Sequence, residues 1–472
     1  MADSHAGMSV QAQHVEGEYD LIVIGAGPAG MAAATEARRH GLSVVLLDEQ
    51  ETVGGQIYRS ITRTDAQRRE ILGPDYEHGA SLAEAFAVSG AEHRPGSSVW
   101  QVTRERMVHV LRGGRTEALL GRRIVLATGA MERPFPIPGW TLPGVMTAGA
   151  AQILLKGAGV APAQPVVLAG CGPLLYLLAW QYLRAGVPIK AILDTTTPAD
   201  QRRALRHVAS ALAGWRDVRK GLGLLRTLRA HQVPHYKGVT KLVVHGEGQA
   251  ERVTFEANGQ AQSLATGLVL LHQGVVPNTQ ITWSLRAGHE WDEAQLCWRP
   301  LRDGWGELDV AGIYIAGDGA AIGGARAAAL QGRLAGLGAA CAAGRLDAAA
   351  RDAQAVPLRR ELQGFLHIRP FLDSLYRPKD ENRIPADDVI VCRCEEVTAG
   401  TLREHVALGC TGPNQAKSFN RCGMGPCQGR QCGLTVTEVI AEARDVSPAE
   451  VGYYRIRAPI KPLTLAELAQ GG

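Results

Sequence analysis

A chain of 472 residues exceeds what one hydrophobic core organises, so about two to four domains are expected. Apolar residues make up 46% and charged residues 20%, which excludes an intrinsically disordered chain. The net charge of +4, with no basic block or arm, excludes nucleic acid as the main partner.

Residues 1–18 are polar and mixed, read as a flexible tail, and lack the apolar segment of a signal peptide. No run of about 18 apolar residues occurs, so no transmembrane helix is expected. Tyr19–Ile24 reads as a buried strand, Met31–His40 as an Ala-rich helix ended by Gly41, and Leu42–Leu47 as a second strand. Residues 51–95 read as irregular to helical. Residues 97–126 read as short strands around a Gly113-Gly114 hairpin turn, and four prolines between Pro134 and Pro143 mark a crossing between domains. A second strand–helix–strand unit follows: Val166–Ala169, Leu174–Ala185, Ile189–Leu193. Residues 198–236 are basic and helical; 238–271 read as strands turning at 246–248 and 258–259. Gly306–Gly317 reads as a strand, Ala325–Ala340 as a Gly/Ala-rich helix, and 345–388 as a polar linker with helical pieces. The fold class is therefore α/β, with two Rossmann-like units and a small, mainly helical C-terminal unit. The expected division is 19–135 and 281–345 for a first dinucleotide domain in two parts, 136–280 for a second, 346–387 for a linker, 388–457 for the C-terminal unit and 458–472 for a tail.

Gly25-Ala26-Gly27-Pro28-Ala29-Gly30 is a G-x-G-x-x-G turn set directly between a strand and a helix, the context that gives the motif meaning. Gly25 permits the tight turn, Gly27 lets backbone approach a pyrophosphate, and Gly30 lets the helix pack close to the strand. The helix N-terminus then offers N–H groups and partial positive charge to phosphate. Asp48 and Glu49 end the next strand. An acid there accepts from ribose hydroxyls and repels a 2′-phosphate, so FAD or NAD fits better than NADP.

With Gly54-Gly55-Gln56-Ile57-Tyr58-Arg59, Ala127-Thr128-Gly129 and Ile313–Gly319, residues 19–345 resemble the glutathione-reductase-like flavoproteins with two dinucleotide domains. The resemblance implies FAD. It brings Gly55, Gln56 and Arg59 to the cofactor, adds Val99, and makes Ala127-Thr128-Gly129 the crossing to the flavin domain. It puts Gly317 and Asp318 at the ribityl–phosphate arm. Disulfide reductases of this kind carry a cysteine pair after the two glycines; Gly54–Ser60 has no cysteine, so that chemistry is not expected.

Gly170-Cys171-Gly172 repeats the first two glycines, but Leu175 takes the third place, where its side chain should push the helix outward. Asp194 still ends the following strand. The site reads as a retained scaffold that no longer turns over NAD(P)H; another adenine nucleotide stays open as its ligand.

Six of nine cysteines lie between Cys392 and Cys432, a pattern of metal binding rather than a disulfide framework. Cys392 and Cys394 form C-x-C, and Cys427 and Cys432 form C-x4-C. Four thiolates in two close pairs can hold zinc or an iron–sulfur cluster, and the one-residue first gap is less usual for zinc. The tail resembles the bacterioferritin-associated-ferredoxin type of [2Fe–2S] domain, which implies Cys392, Cys394, Cys427 and Cys432 as ligands. Cys410 and Cys422 are extra: a ligand's place stays open to Cys422, but both read as ordinary thiols, and Cys171, Cys297 and Cys341 as isolated ones.

The strings LDEQ, GGQIYR and ATGAMERPFPIPGWTLPGVMTAGAAQ narrow the resemblance to α subunits of heteromeric amino-acid and opine dehydrogenases: octopine and nopaline oxidases, D-hydroxyproline dehydrogenase, dye-linked proline dehydrogenase and hydrogen cyanide synthase. It implies a flavin-containing β subunit of the amino-acid-oxidase type that oxidises the amine, a small ferredoxin-like subunit, and a quinone or other acceptor. It also implies a cytoplasmic chain, at most peripheral at the inner face of the membrane. Consistent with an electron-transfer role, no acid/base pair or nucleophile stands out near the flavin. Tyr58 and Arg59 read equally as flavin contacts or packing, and His272 as a structural histidine. Arg202–Arg229 reads as a solvated face, with an acidic partner left open. Trp291, Trp298 and Trp305 read as packing residues.

Overall fold

The computed structural model describes residues 16–470. Most of the expected flexible tail therefore lies outside the described residues.

Four short apolar runs, LIVI, VVLL, IVL and IYI, are buried on both faces, the signature of a covered parallel sheet. They assemble in the order Ile313–Ile315, Ile124–Leu126, Leu21–Ile24, Val44–Leu47, Glu92–Arg94, all parallel. The expected continuous strand from Tyr19 is two strands. Asp20 and Ser43 exchange backbone–side-chain hydrogen bonds, and the chain turns there. Gly17–Tyr19 pairs instead with Arg115–Gly121, so residues 17 and 18 are ordered strand and not tail.

The second unit is a parallel sheet ordered Val145–Thr147, Val269–Gln273, Val166–Cys171, Ile189–Asp194, His235–Lys237. A three-stranded antiparallel sheet, Thr240–His245, Arg252–Ala257 and Gln260–Ala265, follows it. The ribbon of Ala130–Glu132 with Val275–Pro277 joins the two units.

One expectation changes. The strand expected over Gly306–Gly317 is only Ile313–Ile315, because Asp303 Oδ1 accepts from the Trp305 and Glu307 N–H groups and folds the first half into a turn. The linker has the expected helical pieces, Ala348–Leu366, capped by Asp347 and carrying Pro357 internally, and Arg369–Leu375. Its Ala355 and Leu358 pack on Leu330, Leu334 and Leu337 of the helix Ala325–Ala342.

The C-terminal unit is a small hairpin, Ile390–Cys392 with Val397–Thr398, under the helices Ala399–Ala407, Pro413–Asn420 and Gly433–Arg444. It shares a core with the first sheet: Ile22, Ile24, Val45 and Leu126 belong to one buried cluster with Val391, Cys392, Val436 and Tyr454. Residues beyond 457 continue that contact. The Ile460 N–H donates to the Trp100 carbonyl at 2.9 Å. Among the described residues no helix is long and apolar enough to cross a membrane.

Candidate functional site

The first strand delivers the chain to Gly25, whose φ of +106° closes the turn without steric cost. The Ala26 N–H donates to Asp48 Oδ2 at 2.5 Å and the Gln50 N–H to Asp48 Oδ1 at 2.7 Å. Asp48 thus ties the turn to the neighbouring strand; burial raises its carboxyl pKa against these bonds. Glu49, the next residue, takes Lys461 Nζ at 2.6 Å.

Gly30 is where the helix Pro28–Arg39 rests on the strand end. A Cβ there would lie 1.8 Å from the Gly25 carbonyl oxygen. The distant glycine pair comes to the same place. The Gly54 N–H donates to the Ala26 carbonyl at 2.8 Å, and a Cβ on Gly55 would lie 2.8 Å from Gly27 Cα. The Ala127 N–H donates to the Ile24 carbonyl at 2.8 Å, which brings Thr128 and Gly129 to the rim. Gly317 sits against Ala29, with 2.8 Å between a Cβ on it and the Ala29 methyl. Asp318 Oδ1 accepts from the Gly323 and Gly324 N–H groups and so holds the start of the helix Ala325–Ala342. Val99 is buried two residues beyond Ser97, whose N–H donates to the Asp48 carbonyl at 2.8 Å.

Segments far apart in sequence therefore meet at one helix N-terminus, with open space next to Gly129. Bare backbone, a helix N-terminus and an acid at the next strand end fit the pyrophosphate and ribose of a dinucleotide. Beyond the glycine pair, Arg59 Nη2 donates to Gln56 Oε1 at 2.8 Å, while its buried Nε has no partner and is free for a ligand. Tyr58 points away. It is 3% exposed and packs against Gly79 of the helix Pro74–Ala87.

Sequence reading missed Lys156, on the helix Ala148–Ala158. It is 2% exposed; its Nζ donates to Gln152 Oε1 at 2.8 Å and lies 3.4 Å from the Gln56 carbonyl. Gln152 Nε2 donates on to Gln181 and Gln181 Nε2 to the Leu72 carbonyl, so the network is satisfied end to end. Burial, with the Arg59 charge, lowers the Lys156 pKa to about 7. In the unfolded chain the group titrates near 10.5, so between these values the unfolded state binds more protons. Stability from this group is present above the upper value and is lost as pH falls through the lower one. In urea unfolding, wild type should gain about 3 kcal/mol on Lys156→Met between pH 7 and pH 10. A difference that does not move with pH would contradict the assignment.

At the second turn the outcome is different. Leu175 is fully buried on the helix Pro173–Arg184. Gly170 and Gly172 keep positive φ, and Gly172 faces His272 Nε2, 3.1 Å from the position of a Cβ. His272 Nδ1 bonds Glu132 at 2.9 Å, and Glu132 also takes the Gly149 N–H, which makes the pair structural. Asp194 is already engaged: Oδ2 accepts from the Tyr176 hydroxyl at 2.6 Å, with His235 Nε2 at 3.4 Å, and Oδ1 accepts from the Thr196 N–H. The Tyr376 carbonyl lies 3.5 Å from Cys171 Sγ, so the linker crosses this turn.

The C-terminal unit gathers its thiols in two groups. The sulfurs of Cys392, Cys422 and Cys432 lie within 4.8 Å of one another, all buried. Exposed Cys394 accepts the Cys427 N–H and meets its thiol, beside Gly425. Hydrogen bonds from Cys422, then Cys432, and from the Gly423 and Glu395 N–H groups hold the Cys392 thiol far below its ordinary pKa. The thiolate is the metal-binding form. The loop takes this shape because Gly423 and Gly429, both at positive φ, wrap the Tyr454 ring; a Cβ on either would lie 2.4–2.6 Å from a ring carbon. Cys422, read from the motif as an ordinary thiol, lies among the clustered ones. Cys410 stays apart, bonded to the Gly412 carbonyl, and burial pushes Cys171 and Cys297 up to about 12.

The two sites are joined. The Asn278 N–H donates to the Gly129 carbonyl at 3.0 Å and Thr128 Oγ1 to the Asn278 carbonyl at 3.2 Å. Two residues on, Gln280 Nε2 donates to the Gln428 carbonyl at 2.5 Å, inside the Cys427–Cys432 loop. Trp283 stacks on Tyr453 at 5.2 Å between ring centres and meets Trp298 edge-on. Trp291 packs on Trp298, and Trp305 is held between Arg351 and Arg359, so these tryptophans are packing residues. The basic segment does present a solvated face, which also exposes Leu212, Trp215 and Leu222.

Residues 19–336 match the pyridine nucleotide-disulphide oxidoreductase family, and residues 389–472 match the sarcosine oxidase A3 domain. The A-type polypeptide of opine oxidase from Agrobacterium tumefaciens (strain Ach5) is 50% identical, over 96% of this chain and 91% of that protein. The HcnB polypeptide of hydrogen cyanide synthase from Pseudomonas protegens is 30% identical over 94% and 96%. L-proline dehydrogenase from P. horikoshii has the same fold, with a TM-score of 0.71 at 21% identity, covering 97% of this chain and 81% of that one.

Proposed function

This chain belongs to the pyridine nucleotide-disulphide oxidoreductase family, alongside the A-type polypeptides of the opine oxidases, and from that premise we propose that it is the electron-transfer subunit of a heteromeric dehydrogenase for a secondary amine or imino acid of the opine or proline type. In this reading it holds FAD and a [2Fe–2S] cluster. The amine is oxidised on a separate flavin-containing β subunit, in the cytoplasm. A quinone or other acceptor and a small ferredoxin-like subunit complete the assembly.

The observation that carries the proposal is the segment Asn278–Gln280, which bonds the crossing at Gly129 with one end and the cysteine loop with the other. A cluster placed at that loop and a flavin placed at that crossing are held by one short stretch of backbone. When bound, FAD exchanges electrons in ones or twos and the cluster one at a time. The chain's own residues hold and orient. The turn at Gly25–Gly30 and Gly55 seats the pyrophosphate, and Glu49 is placed for the adenosine ribose. Arg59 puts positive charge beyond the glycine pair, where the flavin ring would lie, and buried Lys156 holds the Gln56 carbonyl behind it. Cys392, Cys394, Cys427 and Cys432 hold the cluster. Trp283 stacks on Tyr453 and meets Trp298 edge-on beside the segment Asn278–Gln280.

The second turn supports an acceptor supplied by other subunits rather than a nicotinamide, since Asp194 is engaged by Tyr176, His235 and Thr196. Under anaerobic conditions, excess NADH is expected to leave the flavin band of the isolated chain unchanged, while dithionite bleaches it. Rapid bleaching by NADH would overturn the electron-transfer reading in favour of a self-contained NAD(P)H:acceptor oxidoreductase.

A further inference from the structure

The cysteine loop holds one thiol more than the motif requires. Cys392, Cys422 and Cys432 form a buried trio, and Cys394 pairs with Cys427 at the surface. A [2Fe–2S] cluster is held by four cysteines, two on each iron. The outer pair supplies one iron with no thiol to spare. The inner trio offers three sulfurs for the two places on the other.

Cys422 and Cys432 are placed alike within that trio. Both sulfurs lie within 4.8 Å of Cys392 Sγ. The Tyr454 hydroxyl serves both: it donates to Cys422 Sγ at 3.3 Å and lies 3.8 Å from Cys432 Sγ. Both residues are essentially without exposure, at 0% and 1%, so neither is a surface thiol that happens to be near. They flank one loop, held in register by Gly423 and Gly429 around the Tyr454 ring.

We infer that Cys422 is a fifth, interchangeable thiolate of the cluster site, able to take the place of Cys432 beside Cys392. This rests on the cluster reading above. In the exchange the iron bond to Cys422 forms as the bond to Cys432 breaks, and the proton lost by the Cys422 thiol passes to the departing Cys432 thiolate, whose sulfur lies within 4.8 Å. No electron changes hands, and no co-reactant is needed. Cys394 and Cys427 lie outside the buried trio, so the exchange concerns Cys432 alone.

The test compares the full-length wild type, Cys422→Ser, Cys432→Ser and the double variant, all purified without air. Iron and acid-labile sulfide are measured against flavin in each. Both single variants are expected to keep the wild-type ratio, and the double variant to fall to background. Iron at background in Cys432→Ser, with iron present in wild type, overturns the inference and leaves the cluster reading standing. Background iron in wild type itself removes the cluster reading, and the inference with it. Should Cys432→Ser lose flavin as well as iron and prove unfolded, the wild type decides. After treatment with N-ethylmaleimide and peptide mass mapping, label shared between Cys422 and Cys432 supports exchange. Label on Cys422 alone overturns it.

Discussion

Replacing Gly30 by valine is expected to yield a folded but colourless chain. A Cβ at this position meets the Gly25 carbonyl oxygen at 1.8 Å and the Ala127 methyl at 3.3 Å. Neither neighbour can yield. The Gly25 carbonyl is part of the turn itself, and Ala127 is fixed by its hydrogen bond to Ile24. The helix Pro28–Arg39 must therefore lift from the strand end, which carries its free N–H groups away from the pyrophosphate. Overpacking of this kind costs about 1–3 kcal/mol by itself. Losing the anion seat as well should weaken FAD binding by about 100-fold, equivalent to about 2.7 kcal/mol. The check is flavin released per mole of chain, with circular dichroism confirming the fold. Gly221→Ala is the control, since a Cβ there meets nothing within 4 Å. A Gly30→Val chain as yellow as the control would remove the first turn from the cofactor site.

The second large effect is expected at the outer cysteine pair. Cys394→Ser and Cys427→Ser should each reduce iron and labile sulfide to background and leave the FAD content unchanged. Cys394 and Cys427 contact each other, while the buried trio is ranged about Cys392. Serine has the size of cysteine but not its thiolate, the group that binds soft metals. The flavin seat shares no hydrogen bond with either residue, so its occupancy reports that the rest of the chain is intact. Iron retained in Cys427→Ser would place the ligands elsewhere.

What could be read from the chain was local. The turn at Gly25–Gly30, the acid pair at Asp48-Glu49 and the two cysteine spacings each lie within a few residues, and a short span of backbone decides their geometry. The second strand–helix–strand unit was equally legible, from its apolar runs. Features that depend on folding were not. Nothing near Asn278 or Gln280 says that one will meet Gly129 and the other Gln428. Cys422 looked like a spare thiol because its place among Cys392 and Cys432 depends on a loop wound about Tyr454, more than twenty residues on. Lys156 sits in an ordinary amphipathic helix, and only the packing of Gln152 and Gln181 shows that it is buried. The extent of the helix Ala348–Leu366 through Pro357 rests on apolar contacts with Leu330, Leu334 and Leu337, which outweigh one missing backbone bond. Asp194 looked ready for a ribose; Tyr176 and His235, one turn and one strand away, have taken that role.

The most direct test is the ultraviolet–visible spectrum of the oxidised chain, purified without air, with iron and acid-labile sulfide measured on the same sample. A flavin spectrum overlaid by broad absorbance reaching into the red is expected, with iron and sulfide in equal amounts. A clean flavin spectrum with zinc in place of iron would contradict the two-cofactor assignment, and would make the cysteine loop a structural metal site on a simple flavoprotein.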